Sequence, residues 1–125
     1  MQLTELEVWR AAMDLAKLVY ESSTRFAETE MYGLGYQLRR TVTTIPAHIA
    51  AAASRKHGVE ALRFLSRAKD SIYETESQLY LAEKLGFMNQ DELNAILEQL
   101  ESSRRLLFGF IKYYKKNTNG GGEAY

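Results

Sequence analysis

Glu74 and Glu76 are the first residues in this chain whose type invites chemistry, because carboxylates on bundle helices can hold metal ions. Residues two apart on one helix point to different faces, so the pair cannot serve a single site. The di-iron bundle signature needs Glu-x-x-His on two helices, and the residues three before His48 and His57 are Ile45 and Ser54. No metal site is therefore expected. Glu74 is instead expected to pair with Arg39 or Arg40 of a neighbouring helix, which makes Arg39, Arg40, Glu74 and Glu76 a structural polar group. The absence of cysteine removes disulfides, thiolate zinc sites, iron–sulfur clusters and cysteine nucleophiles. No nucleophile stands at a readable spacing from a base and an orienting acid, and Gly33-Leu34-Gly35 is too short for a phosphate loop. The chain reads as a non-enzyme without a cofactor. His48, beside Ile45 and Ile49, is either a proton-sensitive or ligand-contacting group or, the favoured reading, a hydrogen-bonded helix or interface residue. His57 reads as exposed loop.

Sixteen Lys and Arg balance sixteen Asp and Glu, so no global field draws a polyanion. The balance hides a gradient. Residues 55–69 carry five bases against one acid, residues 104–116 carry five bases and no acid, and residues 70–101 carry eight acids against Lys84 alone. Arg55, Lys56, Arg63, Arg67, Lys112, Lys115 and Lys116, with Tyr113 and Tyr114 interleaved, have the makeup of a patch that tracks a phosphate backbone and stacks bases. The same cations also suit the C-terminal ends of helices, where they complement the macrodipole.

These residues need rods to hold them. One proline and eight glycines in 125 residues leave little turn chemistry for a sheet. Thr4 and Glu7 form a capping-box pattern with Leu3 and Val8 as a staple, which predicts a first helix with Leu6, Trp9, Met13, Ala16 and Tyr20 on its buried face, widened by Ala12, Leu15 and Val19, ending near Ser23. Thr24 to Gly33 reads as a connection. Leu34, Leu38, Val42, Ile45 and Ile49 carry one period through Pro46, so a second helix kinked at Pro46 is expected, with Thr43 or Thr44 hydroxyls helping satisfy what the proline frees at Val42. A third helix is predicted from Val59, capped by Gly86 in the left-handed region, and a fourth from the Asn89–Glu92 capping box, with Met88 and Leu93 as staple, to about Lys116. The expected object is one all-α domain, residues 1–116, in an antiparallel up-down-up-down four-helix bundle, with 117–125 a flexible tail. Antiparallel order brings both basic segments to one end. The start of the chain has no basic n-region or apolar h-region and no apolar run approaches a membrane span, so a cytoplasmic protein without a membrane partner is expected.

Leu106, Leu107, Phe108, Phe110 and Ile111 point in directions that span roughly 240° at about 100° per residue, more than one buried stripe uses. Leu106, Phe108 and Phe110, together with the small residues Ala47, Ala50 and Ala51 of the second helix, are the candidate interface with further copies.

The landmarks Leu6-Glu7-Val8-Trp9-Arg10-Ala11-Ala12, Glu30-Met31-Tyr32-Gly33-Leu34, Gln37-Leu38-Arg39-Arg40, Ile45-Pro46-Ala47-His48-Ile49-Ala50, Phe64-Leu65-Ser66-Arg67-Ala68, Ser71-Ile72-Tyr73-Glu74-Thr75-Glu76 and Leu85-Gly86-Phe87 together resemble a bacterial family of four-helix bundles. These are the 23S rRNA intervening-sequence proteins, with which the accessory variability protein of diversity-generating retroelements is grouped. The resemblance implies a non-enzymatic cytoplasmic homopentameric ring and, for the retroelement relative, a basic surface that meets nucleic acid and a reverse transcriptase. Where the family reads Ser-Ile-Pro-x-Asn-Ile-Ala-Glu-Gly, this chain has Thr44-Ile45-Pro46-Ala47-His48-Ile49-Ala50-Ala51-Ala52. The expected function is a homo-oligomeric, pentameric binding or scaffold module presenting repeated surfaces to a partner protein. The alternative is a ring that binds RNA or DNA through its basic end, with a reverse transcriptase or ribosomal RNA as partner.

Overall fold

The computed structural model describes residues 2–26 and 33–120. A single 3₁₀ turn, Leu3–Glu5, precedes four helices: α1 (Glu7–Ser23), α2 (Leu34–Ala53), α3 (Gly58–Lys84) and α4 (Gln90–Gly120). Each helix packs on the next and α4 closes back on α1, which is the four-helix bundle the apolar periods predict. The core is built from Leu15, Leu38, Val42, Ile45, Ile49, Leu65, Ile72, Leu79, Leu93, Leu100 and Leu107, all essentially fully buried. Small residues Ala12, Ala52, Ala61, Ala68 and Ala82 between them let the helices approach closely.

The ends of the rods follow local chemistry unequally. At α4, Asn89 Oδ1 accepts from the Glu92 N–H at 2.8 Å and Glu92 Oε1 accepts from the Asn89 N–H at 3.3 Å, so the capping box is formed. At the end of α3, Gly86 takes φ +82°. Its N–H donates to the Glu83 carbonyl at 3.0 Å and the Phe87 N–H to Ala82 at 2.9 Å, which closes a Schellman motif. The Thr4–Glu7 box does not form. Leu6, in extended conformation, is the residue that precedes α1, and no side chain caps that helix. Leu6 is buried beneath the end of α2, and burying a leucine outweighs a cap of about 1 kcal/mol.

The buried face of α1 keeps one side of the expected wide stripe and leaves the other in water. Met13 and Tyr20 are exposed, while Val8, Ala12, Leu15 and Val19, spaced 4, 3 and 4 apart, enter the core. α2 continues through the buried Pro46 as one helix. Its threonines satisfy carbonyls just upstream of the one the proline frees. Thr43 Oγ1 lies 3.1 and 3.0 Å from the carbonyls of Arg39 and Arg40, and Thr44 Oγ1 donates to Thr41 at 2.6 Å. α4 runs to Gly120, past the Lys116 limit read from its apolar period, and residues 121–125 of the expected tail lie outside the described residues.

Candidate functional site

The start of α1, the end of α2, the start of α3 and the end of α4 share one end of the bundle. Leu3 and Leu6 line a cleft with Ala50, Ala53 and Ser54, and Leu6 and Val8 line another with Leu106, Gly109, Phe110 and Tyr113. The opposite end is tied by an ion pair between Arg25 and Glu92 and by the Phe26 and Phe87 rings, 5.5 Å apart. The hydrogen bonds from Arg25 and from the Asn89 N–H hold the Glu92 carboxyl below its ordinary value.

At the shared end, the residues split into two groups. The first gathers around Phe64 on α3. The Arg55 guanidinium, from the short α2–α3 link, lies over its ring at 4.5 Å and that of Arg67, one turn along α3, at 5.1 Å. The His48 imidazole is 6.4 Å from the same ring, so three elements converge there. Partial burial, reinforced by the positive charge of Arg67, lowers the His48 pKa from its ordinary value. Lys56 and Arg63 are exposed nearby in the chain. Among the described residues none of Arg55, Lys56, Arg63 and Arg67 forms an ion pair; those that form are Arg25–Glu92, Arg104–Glu76 and Arg104–Glu101. The arrangement holds positive charge with no carboxylate to neutralise it, which is what an oxyanion needs.

The second group belongs to α4. Lys112, Lys115 and Lys116 are exposed, and Tyr113 is 59% exposed. Tyr113 and Tyr114 stack edge to face at 5.6 Å and both meet Phe110, at 6.5 and 5.0 Å. Burial, followed by the neighbouring Tyr113, raises the Tyr114 pKa. Among the described residues no ion pair or ring contact joins these lysines to the Phe64 cluster.

The apolar arc of α4 divides along its length. Leu107 is fully buried, Leu106, Phe110, Ile111 and Tyr114 lie half-buried against the core, and Phe108 is 40% exposed. Leu106, Gly109, Phe110 and Tyr113 face Leu6 and Val8 across an open cleft of about 330 Å³. On α2, Ala47 is exposed, Ala50 and Ala51 are half-buried and Ala52 is in the core.

The polar group on α2 and α3 pairs differently from expectation. Glu76, not Glu74, makes the ion pair, and its partner is Arg104 of α4 at 2.8 Å. Arg104 also meets Glu101 at 2.8 Å and lies over the Tyr73 ring at 4.7 Å. Burial works against its charge, but the bonds to Glu76 and Tyr73 prevail and its pKa is raised. Arg39 donates to Ser23 Oγ at 2.9 Å and covers the Tyr20 ring at 5.7 Å. Arg40 and Glu74 flank a polar groove between α2 and α3 floored by Thr41, Thr44, Ser71 and Gln78. Among the described residues Glu74 has no ion pair, because its side of α3 faces this groove and not α4. His48 lines the same groove. Its meeting with Phe64 and Arg67 joins separate helices and left no mark in local spacing; the one local signal was the three-residue step from Phe64 to Arg67. Among the described residues no three His, Asp or Glu side chains gather as a metal site, and no helix is long and apolar enough to cross a membrane.

A family model described as 23S rRNA-intervening sequence protein matches residues 4–109. The chain belongs to this family. The match covers all of α1, α2 and α3 and most of α4, including Arg55, Phe64, Arg67 and His48. A crystal structure from Bacteroides thetaiotaomicron VPI-5482, described as a protein with unknown function from the S23 ribosomal protein family, is similar in fold. It shares 21% identity, with a TM-score of 0.75 over 84% of this chain and 98% of its own. No curated protein matches the chain.

Proposed function

We propose that this member of the 23S rRNA-intervening sequence family is a non-enzymatic binding module that works as a homo-oligomeric ring, a pentamer in the reading its resemblance suggests. The observation that carries the proposal is the outer face of α4. Phe108 stands out on one side of a helix whose Leu107 already closes the core, and about 140° further round, at roughly 100° per residue, the exposed Tyr113 lines a cleft with Leu6, Leu106, Gly109 and Phe110. A ring is built from heterologous contacts, in which one patch meets a different patch on the next copy. The exposed Ala47 with half-buried Ala50 and Ala51 on α2 supplies a surface low enough for a neighbour's aromatic side chains to seat against. A ring repeats each weak surface patch several times around one axis and so raises avidity for any extended partner. Light scattering of the purified chain across micromolar concentrations tests this. The expected mass is a fixed multiple of the protomer, and Phe108→Glu with Tyr113→Glu shifts it to that of one chain.

A second reading is favoured by one specific observation: Arg55 and Arg67 sit over one ring with no carboxylate partner among the described residues. Arrayed around a ring, such patches suit the phosphodiester backbone of RNA or DNA, and the family's name refers to ribosomal RNA. An electrophoretic titration with single-stranded RNA tests it. A shift that weakens steeply with salt supports the reading, and no shift at low ionic strength removes it.

A further inference from the structure

We infer that Arg55, Arg67 and His48, gathered around the Phe64 ring, form a seat for a single tetrahedral oxyanion of the phosphate class, and that filling the seat takes up a proton on His48. The geometry supplies the first half. Two guanidinium groups are held over one phenyl ring, 4.5 and 5.1 Å from its centre, which restrains their position, and among the described residues neither is paired with a carboxylate. The imidazole stands 6.4 Å from the same ring on a third element and feels the charge of Arg67, so all three groups border one ring.

The second half follows from the charges around His48. Arg40 on its own helix, Arg67 and Glu74 on α3, and Arg55 across Phe64 are the charged groups that face it. Three of the four are cations, and partial burial together with the proximity of Arg67 holds the imidazole's pKa below its ordinary value. An anion beside Arg67 and His48 offsets that local field and favours the imidazolium, more for a dianion than for a singly charged phosphodiester. Affinity for the anion therefore rises as pH falls through the ordinary histidine range, and binding consumes protons. The phosphate can belong to a free small molecule or to a nucleic-acid backbone; only the latter rests on the nucleic-acid reading above.

Sulfate is the decisive probe, because its charge is constant across the range in which His48 titrates. The full chain, with its His and Arg side-chain resonances followed by NMR, is titrated with sodium sulfate against sodium chloride of equal ionic strength, at pH 7.5 and 5.5. The expected result is saturable movement of the Arg55, Arg67 and His48 signals by sulfate only, tighter at the lower pH, with a His48 midpoint that moves up when sulfate saturates. Arg67→Gln weakens binding about fivefold, the upper range for an exposed charge pair, and His48→Asn keeps binding but loses the pH dependence. Both variants are on half-exposed or exposed positions, and a helical spectrum equal to the parent's establishes that they fold. Equal shifts with chloride overturn the seat, and a pH dependence that persists in His48→Asn overturns the role of His48. Competition then separates the sources. If an oligonucleotide with no terminal phosphate displaces sulfate, the seat takes backbone phosphodiesters. If inorganic phosphate displaces it and the oligonucleotide does not, the seat stands and the nucleic-acid reading falls.

Discussion

Replacing Glu76 by Gln tests which carboxylate of α3 ties the bundle together. The Glu76 side chain is 26% exposed and that of its partner Arg104 13% exposed, so the pair lies between the fully buried and the solvated case. Breaking a fully buried pair costs about 3–5 kcal/mol and breaking an exposed one about 0–1. Arg104 keeps Glu101 at 2.8 Å in the variant, but that side chain is 57% exposed and supports it weakly. A loss of about 1.5 kcal/mol follows, with most of it coming from the half-buried guanidinium left short of a partner. With a urea slope of roughly 1.5 kcal/mol per molar, the unfolding midpoint falls by about 1 M at an unchanged slope. Glu74→Gln, two residues away on the exposed wall of the α2–α3 groove, is the internal control and stays within about 0.5 kcal/mol. Both are measured at one protomer concentration, since self-association links stability to concentration. Equal midpoints for the two variants refute the assignment.

The helix ends supply a paired prediction: Asn89→Ala costs about 1 kcal/mol because the Glu92 N–H loses its Oδ1 acceptor while the backbone bond from residue 89 to Glu92 remains, whereas Thr4→Ala stays within about 0.3 kcal/mol, both read from thermal unfolding. Gly86→Ala destabilises by about 1 kcal/mol through its φ of +82° although its new methyl group meets nothing within 4 Å, while Gly109→Ala, in mid-helix with the same open space, gains up to about 1 kcal/mol. The depressed His48 pKa means the folded state binds fewer protons there than the unfolded chain, so its contribution is full above pH 6.5 and is lost as pH falls from there through the lowered folded value. Urea midpoints at pH 7.5 and 5.5 fall in the parent and fall less in His48→Asn. Glu92, held down by Arg25, contributes fully above its ordinary 4.5 and loses that contribution as pH falls through its lowered folded value, so Arg25→Gln lowers stability at pH 7 and by progressively less as the solution is acidified below 4.5.

What could be read from the chain beforehand was whatever is decided within one turn of helix or by one period. The Asn89–Glu92 box and the Gly86 cap are closed circuits of neighbouring residues, so their spacing carries the whole interaction. Thr4–Glu7 has the same local pattern, and it lost because Leu6 is required under α2, a demand made from some forty residues away. α1 holds two interleaved apolar stripes, and only the packing of α2 and α4 selects Ala12, Leu15 and Val19 over Met13 and Tyr20. The same holds for the site. That cations gather at one end follows from antiparallel order, but that Glu76 turns to α4 and Glu74 to α2 depends on how α3 is rotated in the bundle. The meeting of His48 with Phe64 and Arg67 depends on the register of α2 against α3, which no spacing along either helix encodes.

The central claim, that the outer face of α4 exists to bind another copy of the chain, is tested most directly by the mass of the particle in solution. Multi-angle light scattering at micromolar protomer concentration is expected to return an integral oligomer, five protomers in the proposed ring, that collapses to one when Phe108 and Tyr113 are both made acidic. A particle that weighs one protomer at every concentration, with Phe108 open to water, contradicts it.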